Sequence, residues 1–184
     1  MLPHQKGKEL NKTDMLGILH ELDDNLKGIQ RKIKLYGLGG TFLVISGIRY
    51  VSKDVDFIVS REDFRTLSGP VAEIEWKKRV RFDLFPDGLL PDYKYSSYAN
   101  NAKRFSRSFK NIELYFLDTV DLVLTKVLAG RDSDYQDLGQ MEISIKNVPR
   151  EELLRRFEQV QPAPEKKDEL TAKFERFVSE FYKK

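Results

Sequence analysis

The chain contains no cysteine, two histidines and one tryptophan in 184 residues. Without cysteine it can form neither a disulfide framework nor a thiolate metal site, which fits a reducing cytoplasm. His4 and His20 have no partners at metal-ligand spacing, so surface or structural roles are expected for both. No Gly-x-x-x-x-Gly-Lys-Ser/Thr loop is present, and no Ser/His/Asp arrangement can be assembled. The longest uncharged stretch, Leu35 to Ile48, has 14 residues and four glycines, too short and turn-rich to span a bilayer. The opening residues lack the apolar core of a signal peptide. The expectation is a soluble cytoplasmic protein with no membrane partner.

What is there is charge. Charged residues make up 33% and hydrophobic residues 40%, the balance of an ordinary globular chain. Net charge is only +3, but its distribution is uneven. Between Trp76 and Lys110 nine basic residues face three acids, with aromatics interleaved. Such a stretch suits phosphates or nucleic acid, or equally a solvated hairpin and loop with core aromatics.

Periodicity gives a coarse map. Apolar residues from Met15 to Ile33 predict an amphipathic helix over about Asp14–Lys32, started by Asn11 with Asp14. Ile33–Leu38 is short and apolar; Thr41–Ile48 reads as strand or helix. Val55, Phe57 and Val59 alternate as in a strand. Ser60 predicts the start of a short helix ending near Gly69-Pro70, followed by strands over Val71–Trp76 and Val80–Phe85 and a Pro86-Asp87-Gly88 turn. An irregular loop is expected over 89–103, then a strand over Ile112–Leu117, a helix capped by Asp118 and a helix over Pro149–Phe157. Gln161 to Pro164 reads as a linker before a final amphipathic helix.

The chemistry centres on acids. Gly39-Gly40 is followed, after thirteen residues, by Asp54-Val55-Asp56-Phe57. Strand residues two apart share a face, so Asp54 and Asp56 present parallel carboxylates. Asp83 lies on the second acidic strand and reaches that pair if the two strands are neighbours. Three such oxygen donors suit Mg²⁺, with Mn²⁺ as a substitute, plus the phosphates of a nucleoside triphosphate. Glycines would let a backbone approach phosphate closely. The plainer alternatives are an exposed strand edge for Asp54 and Asp56, a simple turn for the glycines, and a surface ion pair with Arg81 for Asp83.

The segment from Gly39-Gly40 through Asp54-Val55-Asp56-Phe57, with Asp83 in Arg81-Phe82-Asp83-Leu84, resembles the nucleotidyltransferase signature over about residues 30–140. The resemblance implies a helix after the glycines, a catalytic metal-binding set of Asp54, Asp56 and Asp83, and phosphate contact at Gly39 and Gly40. Residues Asp121 to Leu138 resemble the Lys…Arg…Asp-x-x-Asp-Leu segment of AbiEii-like nucleotidyltransferases. That likeness implies nucleotide-binding roles for Lys126 and Asp134, with Asp137 more structural. Arg131 could meet triphosphate oxygens beside Lys126; surface ion pairs with Asp134 or Asp137 are the alternative.

The expected fold is α/β: a small mixed sheet flanked by helices, with a nucleotidyltransferase-like domain over 1–140 and a helical extension over 141–184. The expected function is Mg²⁺-dependent transfer of a nucleoside monophosphate from an NTP to a hydroxyl of an RNA (tRNA-like) or protein acceptor. By the AbiEii likeness it implies a toxin–antitoxin or phage-defence setting with a cognate antitoxin or other partner protein. The alternative is a non-catalytic module that binds a nucleotide or partner.

Overall fold

The computed structural model describes residues 8–86, 93–95 and 97–182. His4 and the Asp87-Gly88 part of the expected turn lie outside them. The chain divides into two compact units: residues 1–86 with 104–116, and residues 87–103 with 117–184. The sequence alone places a division after residue 140.

The first unit opens with α1 (Lys12–Asn25). Asn11 accepts from the Asp14 N–H while Asp14 accepts from the Asn11 N–H, a capping box that fixes the helix start. The expected continuation to Lys32 does not form, because the chain turns over Leu26–Ile29 and Gly28 takes a φ of 98°. Strand β1 (Ile33–Gly37), helix α2 (Gly39–Ile45) and strand β2 (Asp54–Val59) follow. The ambiguous segment after the glycines is therefore helical.

Helix α3 (Arg61–Lys78) then runs unbroken into strand β3 (Arg81–Pro86). The strand expected over Val71–Trp76 is instead the second half of this helix. Leu67, Val71 and Ile74 are buried at helical spacing, and that stripe outweighs the breaker pair Gly69-Pro70. Pro70 costs the helix only the bond to the Thr66 carbonyl. Topology also demands the length. β2 and β3 are parallel, so the crossover must travel back along six residues of strand, about 20 Å, or roughly 13 helical residues. Ser60 caps the entry through the Asp63 N–H, and Lys77 and Lys78 sit at the carbonyl end, where positive charge is favoured.

After β4 (Tyr93–Lys94), α4 (Tyr98–Asn101) and β5 (Lys103–Arg104), strand β6 (Ile112–Phe116) completes a mixed sheet of order β3-β2-β1-β6-β5. The loop expected over 89–103 thus contains three short elements where it is described. β1 pairs antiparallel with β2 and parallel with β6. Ile33, Leu35, Val55, Phe57, Val59, Phe82 and Leu114 project from one sheet face into a core with Met15, Leu19 and Leu22 of α1 and Leu67, Val71 and Ile74 of α3. Asp23, nearly fully buried in the last turn of α1, accepts the N–H groups of Lys110 (2.9 Å), Asn111 (2.7 Å) and Ile112 (3.0 Å). One carboxylate therefore anchors the entry to β6.

The second unit is built on α5 (Thr119–Ala129), capped by Asp118 through the Asp121 N–H. Helices α6 (Asp132–Gln140), α7 (Glu142–Lys146), α8 (Arg150–Phe157) and α9 (Lys167–Phe181) pack around it. The expected linker contains β7 (Gln161–Pro162), which pairs with β4, and a 3₁₀ turn over Pro164–Lys166. Arg156 is buried among Asp118, Asp121 and Glu152, with ion pairs of 2.7–2.9 Å, and Tyr95 donates to Asp121 at 2.7 Å. Burial pushes the Asp121 carboxyl up against the opposing pull of Tyr95 and Arg156. No helix of the described residues is long and apolar enough to cross a membrane.

Replacing Asp23 by alanine strands three backbone donors at the α1–β6 junction. We expect a loss of at least about 3 kcal/mol, read from urea unfolding, whereas Asp24→Ala on the exposed side should change little.

Candidate active site

The site lies on the sheet face opposite the core of the first unit. Along β2, Val55, Phe57 and Val59 point into the core, so Asp54 and Asp56 point the other way. In the parallel pairing, Asp56 stands beside Asp83 and Asp54 beside Arg81. Neighbouring strands are about 4.8 Å apart, which makes the Asp56–Asp83 approach a direct product of register. One carboxylate oxygen from each of Asp54, Asp56 and Asp83 lies within 4.8 Å of the others, and all three residues are half-buried.

The glycines are shaped by this cluster. Gly39 has a φ of 55°, and a Cβ there would stand 2.5 Å from Asp56 Oδ2. A Cβ on Gly40 would collide with the Ser52 hydroxyl and lie 2.8 Å from Ser52 Cβ. The backbone can therefore come close to the acids only because both residues lack side chains. The Gly40 N–H donates to Asp56 Oδ2 at 3.2 Å, the Asp56 N–H donates to Thr41 Oγ1 at 2.7 Å, and Ser52 Oγ donates to Asp54 Oδ1 at 3.0 Å. Two of these three bonds hold the Asp54 and Asp56 carboxylates directly and the third fixes the Asp56 backbone, before any ligand arrives.

Asp83 is held differently. Arg81 Nη2 and Nε reach its Oδ1 at 2.9 and 3.1 Å. Hydrogen bonding to Asp83, reinforced by the charges of Asp54 and Asp56, pushes the Arg81 guanidinium further toward its protonated form. The ion pair with Arg81 and the convergence with Asp54 and Asp56 therefore coexist. Arg81 is largely exposed, so the pair contributes at most about 1 kcal/mol and is easily exchanged. Hard oxygen donors at this spacing fit Mg²⁺ or Mn²⁺.

Lys126, Arg131 and Asp134 form their own network in the second unit. Lys126 Nζ lies 3.0 Å from Asp134 and 2.6 Å from Asp137, with its side chain only 7% exposed. Arg131 Nε bonds Asp134 at 2.8 Å, and the Arg131 N–H also donates to that carboxylate. The Lys126 pairs join α5 to α6 in the interior rather than on the surface, whereas Arg131 is largely exposed at the start of α6. Burial would push the Asp134 carboxyl up, but Arg131 and Lys126 outweigh it and hold it below the ordinary value.

Ser52, Thr41 and the Arg156 cluster were not singled out by sequence reasoning. Ser52 carries a usable signal: it precedes Asp54 by two residues, the spacing that puts neighbours on one side of an extended chain. Thr41 immediately follows the glycines, yet its contact with the Asp56 N–H depends on tertiary approach alone.

Two outcomes follow from these contacts. Gly40→Ala should destabilise the first unit by about 1–3 kcal/mol, and Ser52→Gly in the same chain should restore most of that loss, as measured by a double-mutant unfolding cycle. Lys126→Met leaves two acids buried without their ammonium and should cost about 3–5 kcal/mol. Because the Asp134 pKa is depressed in the fold, its contribution is present above its unfolded value near 3.8 and disappears as pH falls through the lower folded value. Asp134→Asn should flatten that acid limb of the stability curve.

No curated protein and no solved structure matches this chain. A family model described as nucleotidyltransferase of unknown function (DUF6036) matches residues 14–182, nearly the entire chain and both units. With the paired glycines, the Asp54-x-Asp56 strand and Asp83 all within that span, the chain belongs to this nucleotidyltransferase family.

Proposed function

We propose that this protein transfers a nucleoside monophosphate from an NTP to a hydroxyl acceptor, using Asp54, Asp56 and Asp83 as its catalytic carboxylates. The observation that carries this reading is the approach of three acids to within 4.8 Å beside two glycines whose Cβ atoms would crowd Asp56 and Ser52. Asp54 and Asp56 would hold Mg²⁺ (or Mn²⁺) with Asp83. The bound ion would supply charge neutralisation on the phosphates and a lowered pKa for a hydroxyl near it.

The chain's own groups supply the rest. Asp83, tethered only by an exposed arginine, accepts the proton of the acceptor hydroxyl as its oxygen attacks the α-phosphorus. The bond to the bridging oxygen breaks and pyrophosphate leaves. Gly39 and Gly40 keep the backbone low enough for phosphate to approach, and Ser52 and Thr41 keep Asp54 and Asp56 aimed. In the second unit, Lys126, Arg131 and Asp134 are put forward for the nucleotide: Arg131 offers a largely exposed guanidinium, and Lys126 acts by holding Asp134. The acceptor is an RNA or a protein. The AbiEii-like segment supports a toxin–antitoxin or phage-defence setting with a cognate partner, by analogy alone.

The contact of Arg81 with Asp83 favours a second reading, in which a chain cation balances the acids and the nucleotide is bound without turnover. That module would be stabilised against heat by an NTP yet transfer nothing.

Incubation with Mg²⁺, each α-labelled NTP, tRNA and cell protein separates the two. Label should move to an acceptor, and both Asp56→Ala and Asp83→Asn should lower transfer by at least about a hundredfold. Thermal stabilisation by an NTP with no transfer to any acceptor would support the module instead.

A further inference from the structure

We propose that the corner between α3 and β3 is a docking surface for single-stranded nucleic acid, with Trp76 stacking on a base and Arg79 holding a phosphate. It deepens the transferase reading by naming the acceptor class, and it rests on that reading only for the word acceptor.

Three observations converge on this corner. First, Arg79 ends α3 with φ 55° and ψ 42°, the left-handed conformation in which glycine is the ordinary occupant. Among the described residues it is the only non-glycine with positive φ. A bulky residue kept where glycine would be cheaper points to a use for its side chain. Second, the Arg79 guanidinium is exposed and has no hydrogen bond or ion pair among the described residues. Third, Trp76 is 87% exposed on the last turn of α3, three residues before Arg79.

The neighbouring charges are already committed. Lys77 pairs with Glu73, Lys78 with Glu21, and Glu75 accepts the Phe82 N–H at 2.7 Å. The acids of the corner thus have partners, and Arg79 remains as an uncompensated cation three residues from an open aromatic face. Stacking on an aromatic ring together with a cation for the backbone is how single strands are held without sequence preference. A protein-docking patch would instead gather large apolar neighbours, whereas the exposed residues one turn before Trp76 on α3 are Ala72 and Glu73. A duplex keeps its base faces stacked and offers Trp76 nothing to cover. Asp83 follows Arg79 by four residues along β3, about 13 Å of extended chain. Asp83 faces away from the core that α3 covers, so a strand seated at the corner passes around the edge strand β3 to present a hydroxyl to it.

Trp76 is the only tryptophan, so its fluorescence reports the contact directly. The full chain, without NTP or metal, is titrated with 12-nucleotide oligoadenylate and oligouridylate RNA, and with a 12-base-pair RNA duplex. We expect saturable quenching by the single strands and none by the duplex. By fluorescence anisotropy of labelled strands, Trp76→Ala should weaken binding about tenfold. Arg79→Gly should weaken binding and lower the slope of log K against log salt by about one, while its thermal midpoint holds or rises. Absence of quenching by either strand, equal quenching by the duplex, or wild-type binding by both variants would overturn the proposal. Nucleotide transfer to protein with no strand binding would overturn it too, while leaving the transferase reading intact.

Discussion

Mutual repulsion among three carboxylates is the constraint around which the first unit is organised. Asp54, Asp56 and Asp83 would separate if their backbones allowed it, and the parallel β2–β3 register does not. The cost is met locally: the Gly40 N–H and the Ser52 hydroxyl point at the acids, and Arg81 lies against Asp83. Gly39 and Gly40 matter here as absent volume, because their missing Cβ atoms are what let α2 begin against the acid cluster. The long α3 is a second consequence, since a parallel neighbour for β2 can be reached only by a crossover of that length.

Polar groups also organise the interior. In the first unit, Asp23 gathers three backbone donors at the start of β6, fixing where the strand beside β1 begins. In the second, Lys126 with Asp134 and Asp137 joins α5 to α6, and Arg156 with Asp118, Asp121 and Glu152 joins α5 to α8. Buried ion pairs gain little over well-packed apolar residues, yet removing one partner is costly. Here they fix helix register on α5, whose buried face is otherwise a nearly uniform run of Leu and Val.

How much of this could be read in advance depended on whether the signal was local. The Asn11 cap, the alternation over Asp54–Val59, the Asp118 cap and the final amphipathic helix are encoded within a few residues, and the structure has them all. The spacing Asp54-x-Asp56 put two carboxylates on one face. Bringing Asp83 beside them needed β3 to neighbour β2, which no residue of either strand encodes alone. The failures lie where a local rule met a tertiary demand. Gly69-Pro70 ordinarily stops a helix, but the crossover and the Leu67–Val71–Ile74 stripe carried α3 through it. Conversely, the apolar period of α1 continues to Ile33, yet the chain turns at Gly28 to start β1. Lys126 read as a phosphate ligand or a surface ion-pair partner. Its burial between two aspartates follows from the packing of α6 on α5, which short-range spacing does not reveal.

The central claim is that the three acids act as one cation-binding group. Mn²⁺ binding followed by electron paramagnetic resonance, with a non-hydrolysable NTP present, tests it most directly. The account predicts one tight Mn²⁺ per chain, displaced by Mg²⁺ and lost when Asp54, Asp56 or Asp83 is singly changed to Asn. Binding that survives all three substitutions, or no binding by the unaltered protein, would contradict it.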